Sequence, residues 1–314
     1  MYLVASALPD MIEAQTTKRR RGSYLPGKGV FMKKAVTLGA MIVAGLMLSS
    51  SVALAAPDQS AGRVDATARN MQKFLGSTPS SLAATDPDLA AMRDRLLYGE
   101  IMDHGTLSDK QRMLVTLVVL TAGQTLDDFK TQVNAALRVG AAPVEIREAL
   151  YQCAPYIGFP RTEAAVKLMN EVFAEHKIAL PLEKQSTVTE QTRYADGLVV
   201  QKSIFGEGID KMHQTATEDQ KAVVQNYLSA FCFGDIYTRK GLDLKTRELL
   251  TFSIISAFGG CDSQVRSHVQ GNIAVGNTRE NLIDALAQSL PYMGFPRTLN
   301  ALACVNAVAP AAGK

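Results

Sequence analysis

The sequence predicts an all-α protein, a tandem duplicated antiparallel helical bundle, on three observations. A nine-residue motif around Tyr156 recurs around Tyr292, an offset of 136 residues that also relates Gly140 to Gly276. Apolar residues within each copy recur at the three- and four-residue spacing of helices, and no stretch shows the sustained alternation of a strand. Short connections between the predicted helices favour antiparallel neighbours.

Length and composition are those of an ordinary globular protein. The chain has 314 residues, of which 47% are hydrophobic and 20% charged, with four cysteines. This composition excludes a disordered chain and a disulfide-dense mini-domain. At about 150 residues per domain, the length predicts two units.

The first 55 residues predict an export leader. Lys33 and Lys34 precede the apolar run 35–48, and small residues ending at Ala55 follow it, which is the order of a secretory signal cleaved after Ala55. The run is shorter than the ~20 apolar residues of a membrane span, so an uncleaved anchor is the less favoured alternative. The true start is Met1 or Met32. We therefore expect a periplasmic or secreted protein without a stable membrane span.

Removal of the leader changes the charge of the chain. The formal net charge of +3 becomes −2, because residues 1–55 hold seven basic and two acidic side chains. No basic stripe with interleaved aromatic residues follows, so we expect no binding to nucleic acid.

Two copies separated by a linker account for the remainder. The first copy is expected over 60–176, the linker over 177–193, where Pro181 lies among polar residues, and the second copy over 194–310. The predicted helices of the first copy are 109–122, 126–139, 144–157 and 161–176.

In the second copy, glycines and one threonine mark the ends of helices. Gly259 and Gly260 end the helix that begins near Leu244, and Gly276 ends the next one. Thr278 resembles the N-cap of a third helix. The third and fourth predicted helices are 279–292 and 297–308, with a turn at Gly294 and Pro296 between them.

The candidate catalytic residues lie in the second copy. Cys261 opens a helix, where free N–H groups and the positive end of the helix dipole favour a thiolate. Gln264 and His268 follow at spacings of three and four, on the same helical face. About 10.5 Å of helical rise between Cys261 and His268 argues against a direct bond. Glu248 on the preceding helix either orients His268 or pairs with an arginine on a solvated surface.

The first copy serves as an internal control for these positions. It differs at all four: Arg112 stands in place of Glu248, Thr125 of Cys261, Asp128 of Gln264 and Gln132 of His268. A structural role shared by both copies would not predict this divergence, which favours one active copy and one scaffolding copy with a degenerate site. The turns at Tyr156 and Tyr292 occur in both copies, so we expect them to serve packing.

The second copy resembles a known family. The resemblance rests on Arg247-Glu248-Leu249-Leu250, Cys261-x-x-Gln264-x-x-x-His268, Gly276-x-Thr278 and Tyr292-x-Gly294-Phe295-Pro296. These motifs are similar to those of the carboxymuconolactone decarboxylase family, which also contains alkylhydroperoxidase D. The resemblance covers nearly all of the chain after the leader, as two family domains. It implies an all-α bundle of this type that assembles into a homo-oligomer, here a trimer.

The two branches of the family imply different activities. The peroxidase branch uses a Glu, a CxxC pair and a His, which Glu248, Cys261 and His268 match, whereas Gln264 replaces the second cysteine. The decarboxylase branch keeps the histidine with a carboxylate four residues before it, the position that Gln264 occupies, and lacks the cysteine. Neither branch is matched in full.

Our leading hypothesis is an exported thiol-dependent oxidoreductase of the peroxidase, or peroxiredoxin-like, type that acts on hydroperoxides. The Cys261 thiolate would attack the peroxide and become a sulfenic acid, while His268 and Glu248 move protons. The resolving thiol would be Cys232, another protein or an external small thiol reductant. A disulfide between Cys232 and Cys261, or a similar pair, stays open, whereas Cys153 and Cys304 are expected to be inert core thiols.

Two alternatives belong to other classes. In a cofactor-free decarboxylase or lyase acting on a small carboxylated lactone, His268 would carry the proton, Gln264 or Arg266 would bind the carboxylate, and Cys261 would be dispensable. A non-catalytic helical binding or assembly protein is the other alternative. No cofactor is predicted, and the cysteine spacings match no zinc pattern, so no metal is predicted either.

Overall fold

The computed structural model describes residues 60–76 and 82–311, and all regular structure in these ranges is helical. The predicted fold class is thereby confirmed. The predicted leader over 1–55, with its cleavage site, lies outside the described residues. None of the described helices combines the length and apolar character that a membrane span requires.

Six α-helices build the described part of the first copy. They are α1 (Ser60–Leu75), α2 (Pro87–Gly99), α3 (Asp109–Gly123), α4 (Phe129–Arg138), α5 (Pro143–Ile157) and α6 (Phe159–Glu175), and a short 3₁₀ helix (Ile101–Asp103) follows α2. The bounds of α3 to α6 lie within three residues of the predicted ones, whereas α1 and α2 were not predicted. The segment between α6 and α7, where the linker was predicted, forms no helix.

The second copy contains a long π-helix besides its α-helices. Its elements are α7 (Arg193–Phe205), α8 (Gly208–Thr215), the π-helix (Ala222–Tyr237), α9 (Leu244–Phe258), α10 (Asp262–Ala274) and α11 (Arg279–Val308). Thr278 caps α11 by accepting a hydrogen bond from the Asn281 backbone N–H, as predicted. Gly294, with φ 77°, interrupts α11 at the predicted turn.

The central helices of the two copies, α3 and α9, pack against each other in the core. Every residue from Arg112 to Ala122 on α3 and from Arg247 to Ala257 on α9 is buried. Apolar side chains from both copies form one continuous cluster around this pair. The two copies therefore bury their apolar surface jointly.

One face of α5 carries polar side chains into the second copy. Glu148, Gln152 and Tyr156 are spaced by four residues and so lie on one face of the helix. Each forms a hydrogen bond with a residue of the second copy. Because Glu148 and Gln152 are fully buried, these partners replace water that the side chains lose on folding.

The equivalent face of α11 reaches back into the first copy. Asp284 accepts a hydrogen bond of 2.7 Å from the Thr106 backbone N–H, and Gln288 donates one of 3.0 Å to the Thr116 hydroxyl. Asp284, Gln288 and Tyr292 are the repeat counterparts of the α5 residues. The two copies thus exchange polar side chains across their shared core.

A buried charge cluster anchors the α5 side of this exchange. The carboxylate of Glu148, fully buried, accepts hydrogen bonds from Arg239 at 2.8 and 2.9 Å and from Arg247 at 3.2 Å. Arg147, its neighbour on α5, donates a further one at 3.2 Å. A buried carboxylate is tolerated only when it is paired in this way.

Replacement of this carboxylate should destabilise the protein. We expect Glu148→Gln to lower the free energy of unfolding by about 3–5 kcal/mol, because it leaves buried guanidinium groups without their counter-charge. Urea denaturation followed by circular dichroism measures this loss. Glu175→Gln, which removes an exposed partner of Lys130, is the matched control and should leave the midpoint essentially unchanged. Equal midpoints for both variants would contradict the prediction.

Close packing of α7 on the π-helix depends on two glycines. A β-carbon on Gly234 would lie 2.0 Å from the carbonyl oxygen of Arg193, and one on Gly197 would lie 2.1 Å from that of Ser229. No side chain fits at either position without moving backbone. This packing places the C-terminal end of the π-helix, with Tyr237, beside α9.

A methyl group at this contact should separate the two helices. We expect Gly234→Ala to cost about 1–3 kcal/mol of stability, as overpacking of a core does. Gly208→Ala is the control, because its β-carbon would meet open space. Thermal unfolding compares the two, and a Gly234→Ala protein as stable as the Gly208→Ala protein would disprove the packing constraint.

Candidate active site

A buried carboxylate on α9 forms the centre of the candidate site. Glu248 is fully buried. Its Oε2 lies 2.9 Å from Nδ1 of His268 on α10, and its Oε1 accepts a hydrogen bond of 2.7 Å from the hydroxyl of Tyr237 on the π-helix. The expected orientation of His268 by Glu248 is thus present, and the alternative of a solvated surface pair is wrong.

Aromatic rings enclose the imidazole of His268. Tyr156 from α5 and Phe205 from α7 contact the ring edge-on, with centroid distances of 5.6 and 5.3 Å. His268 is 8% exposed, so most of the ring is shielded from water. Nδ1 bonds to Glu248, and no described residue forms a hydrogen bond with Nε2.

Two further residues of α10 fit this arrangement. A β-carbon at Gly271 would lie 2.7 Å from Oε2 of Glu248, so glycine provides the space that the carboxylate occupies. The first copy has Ala135 at this position, where no carboxylate needs the space. Asn272 donates hydrogen bonds to the backbone oxygens of Glu248 and His268 at 3.0 and 2.7 Å and ties the two helices together.

A chain of hydroxyl groups leads from Glu248 back to the first copy. The hydroxyl of Tyr237 lies 3.0 Å from that of Tyr156 and 2.8 Å from that of Thr251. Cys232 on the π-helix donates its thiol proton to the Tyr156 oxygen at 3.7 Å. Burial raises the pKa of Cys232 to about 12 and that of both tyrosines well above the usual value, so all three keep their protons at neutral pH.

The geometry assigns protons within the dyad. An ionised Glu248 only accepts hydrogen bonds, so the proton shared with His268 sits on Nδ1. Nε2 then carries a lone pair and is the nitrogen able to take up a proton. In this tautomer the arrangement is that of an imidazole with a free Nε2 backed by a carboxylate.

The thiol of Cys261 lies in different surroundings. Cys261 is the N-cap residue of α10, half-buried, and its sulfur donates to the carbonyl oxygen of Ile255 at 3.3 Å. Burial, followed by the charge of Asp262 and the neighbouring Cys304, raises the pKa of Cys261 above its usual value. The expectation of a lowered pKa was wrong, because burial and Asp262 oppose the thiolate at this helix end.

The two remaining candidate residues stand apart from the dyad. Gln264 is exposed and accepts a hydrogen bond from the neighbouring Ser263 hydroxyl at 2.8 Å. Arg266 is exposed as well. In the described part of the chain, the structure joins Glu248 and His268 and leaves Cys261, Gln264 and Arg266 outside that hydrogen-bonded group.

All four cysteines are free thiols in the structure. Cys153 and Cys304 are buried in the core, as expected, and burial raises the pKa of both. Cys232 contacts the tyrosine chain of the dyad. It is therefore Cys232, and not Cys261, that is connected to His268 through hydrogen bonds.

The equivalent region of the first copy lacks an acid–base pair. Arg112, in place of Glu248, donates to the backbone oxygen of Ile101 at 3.1 Å and to that of His104. Gln132, in place of His268, donates to Asp128 at 2.7 Å. These contacts give the first copy a structural network where the second copy has a titratable one.

Sequence reasoning missed Tyr156 and Tyr237. Tyr156 was assigned to packing because its turn occurs in both copies, yet its hydroxyl belongs to the site of the second copy. A usable signal was present: Glu148, Gln152 and Tyr156 recur at a spacing of four residues and form a polar row on one face of α5. Tyr237 lies on the π-helix, which was not predicted.

The fold and the site together define a class of protein, an all-helical bundle of duplicated units with a carboxylate–histidine pair held between two helices. The model of the carboxymuconolactone decarboxylase family matches residues 87–171 and 222–307. The chain belongs to this family, and the resemblance seen in the sequence motifs is confirmed.

Relatives of this chain correspond to about one of its copies. The 4-carboxymuconolactone decarboxylase of Acinetobacter baylyi is 28% identical over 109 residues, which cover 35% of this chain and 81% of that protein. An uncharacterized 15.0 kDa protein of Paracoccus denitrificans is 28% identical over 105 residues, 33% of this chain and 78% of that protein. A crystal structure of a candidate gamma-carboxymuconolactone decarboxylase subunit from Burkholderia xenovorans covers 80% of this chain and 97% of its own, with 18% identity and a TM-score of 0.47.

The environment of Cys261 predicts a slowly reacting thiol. Because its pKa is raised, the thiolate fraction at neutral pH is lower than that of a free cysteine, and alkylation should accelerate only above the usual thiol pKa. The measurement is the pH dependence of alkylation in a protein that lacks the other three cysteines. His268→Gln should leave this rate unchanged, since no hydrogen bond joins the two side chains. A fast thiol that slows in His268→Gln would contradict the structure.

Proposed function

We propose that the protein is a cofactor-free acid–base enzyme, of the decarboxylase or lyase type, that acts on a small carboxylated lactone. One observation carries the proposal: the buried hydrogen bond between His268 Nδ1 and Glu248 Oε2. It supplies a proton carrier with a defined base nitrogen, which is what a lyase without cofactor requires.

The dyad can perform both proton transfers of such a reaction. Nε2 of His268 accepts the proton of the substrate carboxyl group that is lost, and Glu248 stabilises the imidazolium that results. Loss of carbon dioxide leaves the electron pair of the broken carbon–carbon bond in the conjugated lactone. The imidazolium then returns the proton to a carbon of this conjugated anion. The enzyme therefore ends each cycle unchanged.

The similarity to the Acinetobacter baylyi enzyme supports this substrate class. Within the proposal, Gln264 or Arg266 holds the carboxylate of the substrate. Both are exposed on the helix that carries His268, and a guanidinium is suited to bind a carboxylate.

The thiol-peroxidase hypothesis receives less support from the site. A peroxide-reactive thiol needs a low pKa, yet the pKa values of Cys261 and Cys232 are both raised. No hydrogen bond links Cys261 to His268. Peroxidase activity stays a prediction of the sequence, as do export of the chain after cleavage at Ala55 and assembly into a trimer.

Substitution within the dyad should abolish turnover. We expect His268→Gln, which introduces the residue of the first copy, to lower the rate of decarboxylation by about 10²-fold or more, because the proton carrier is lost. Ultraviolet absorbance of carboxymuconolactone-type substrates, with carbon dioxide release as a second readout, measures this rate.

Cys261→Ser distinguishes the two activities. The acid–base proposal expects this variant to retain lactone turnover and to show no change against hydroperoxides. Hydroperoxide turnover that disappears in Cys261→Ser, together with inactivity towards carboxylated lactones, would replace the proposal by the peroxidase hypothesis.

A further inference from the structure

We propose that Tyr237 and Tyr156 are positioning residues that hold the Glu248 carboxylate in its ionised form and thereby keep the base nitrogen of His268 at Nε2. The inference rests on the proposed function for its role in the reaction. It assigns to the first copy a part in the site of the second, since Tyr156 belongs to α5.

The hydrogen bonds of this chain all run towards Glu248. The single hydroxyl proton of Tyr237 is given to Oε1 of Glu248, so its oxygen can only accept from Tyr156. The oxygen of Tyr156 in turn accepts from the thiol of Cys232. Each donor in such a directed series polarises the next, which strengthens the final bond to the carboxylate.

Neighbouring contacts support this direction. Thr251 accepts a hydrogen bond of 3.0 Å from Gln152, which leaves its own hydroxyl proton for the oxygen of Tyr237, 2.8 Å away. Gln152 is held in turn by Arg247, which donates to its oxygen at 2.9 Å. Tyr237 thus lies in a fixed position, with its proton free for Glu248.

The titratable and charged groups around the dyad come from three helices. They are Tyr156 on α5, Tyr237 and Cys232 on the π-helix, and Arg247 on α9, while α7 contributes the apolar Phe205. Arg247 directs its hydrogen bonds to Glu148, Gln152 and backbone oxygens, and not to Glu248. Tyr237 is therefore the donor that offsets the buried charge of Glu248 from the side opposite His268.

The first copy provides a matched comparison. Tyr292 is the repeat counterpart of Tyr156 and reaches from α11 towards the equivalent region of the first copy. Its hydroxyl lies beside Thr116, and the residue in place of Glu248 is Arg112. The tyrosine is shared by both copies, whereas the series of hydrogen bonds that ends on Glu248 belongs to the second copy.

Removal of a donor should make the dyad bind its proton more tightly. The hydroxyl of Tyr237 stabilises the dyad most when His268 is neutral and the carboxylate carries the full charge. Tyr237→Phe should therefore raise the pH at which the Glu248–His268 pair gains its proton by about one unit. Tyr156→Phe should raise this midpoint by less, since it acts through Tyr237.

The test is ¹⁵N NMR of histidine-labelled protein over a pH series, with the His268 signals assigned by their loss in His268→Gln. The wild type should show the Nδ1–H tautomer above the midpoint. The double variant Tyr156→Phe/Tyr237→Phe should match Tyr237→Phe alone, because the chain is already broken at its last donor. Tyr292→Phe is the control and should leave the midpoint unchanged.

The outcomes separate the possibilities. Three results would each overturn the inference. The first is an unchanged protonation midpoint of the Glu248–His268 pair in Tyr237→Phe. The others are additive shifts in the double variant, or an equal shift of this midpoint in Tyr292→Phe. If Tyr237→Phe does not fold, Tyr156→Phe against Tyr292→Phe decides alone. The readout needs no substrate, so a shifted midpoint without lactone turnover would reject the proposed function and leave the positioning role intact.

Discussion

The structure depends on polar side chains that can be satisfied only across the boundary between the two copies. The row Glu148, Gln152 and Tyr156 on α5 faces the second copy, and the row at 284–292 on α11 faces the first. On burial each of these polar groups loses its hydrogen bonds to water, and the partner in the other copy replaces them. Apolar contact between α3 and α9 brings the copies together, and these rows set their relative position.

This exchange explains how the described part of a duplicated chain comes to hold the carboxylate–histidine pair in one copy and not in the other. Both copies offer the same frame: two packed helices and a polar row from the other copy. In the second copy the frame receives a carboxylate, a histidine and a glycine that makes room for the carboxylate, at 248, 268 and 271. In the first copy the frame receives Arg112, which donates to backbone oxygens, and Gln132, which donates to Asp128. The chemistry depends on a few side chains, while the frame is common.

Features whose signals lie close together in the sequence were predicted well, whereas contacts between distant residues were not. Helices bounded by glycines and caps, such as α3 to α6 and the start of α11 at Thr278, were predicted closely because their signals lie within a few residues. The helices near Gly197 and Gly234 were missed, since glycine usually weakens a helix and here serves close packing between two of them. The raised pKa of Cys261 has its causes in burial and in the charge of Asp262, and the burial arises only when the helices pack.

The sequence by itself determined the duplication, the all-helical class and the family, and it singled out Glu248 and His268 as candidate residues. These follow from periodicity, from motif spacing and from the comparison of one copy with the other. Only the tertiary structure decided that Tyr156 and Tyr237 join the hydrogen-bonded group of Glu248 and His268 and that Cys261 lies outside this group. Tyr156 and Tyr237 are 81 positions apart and on different copies, and their contact arises from the packing of α5 against the π-helix. Solvent exclusion, which sets the protonation of these groups, exists only once the helices have assembled.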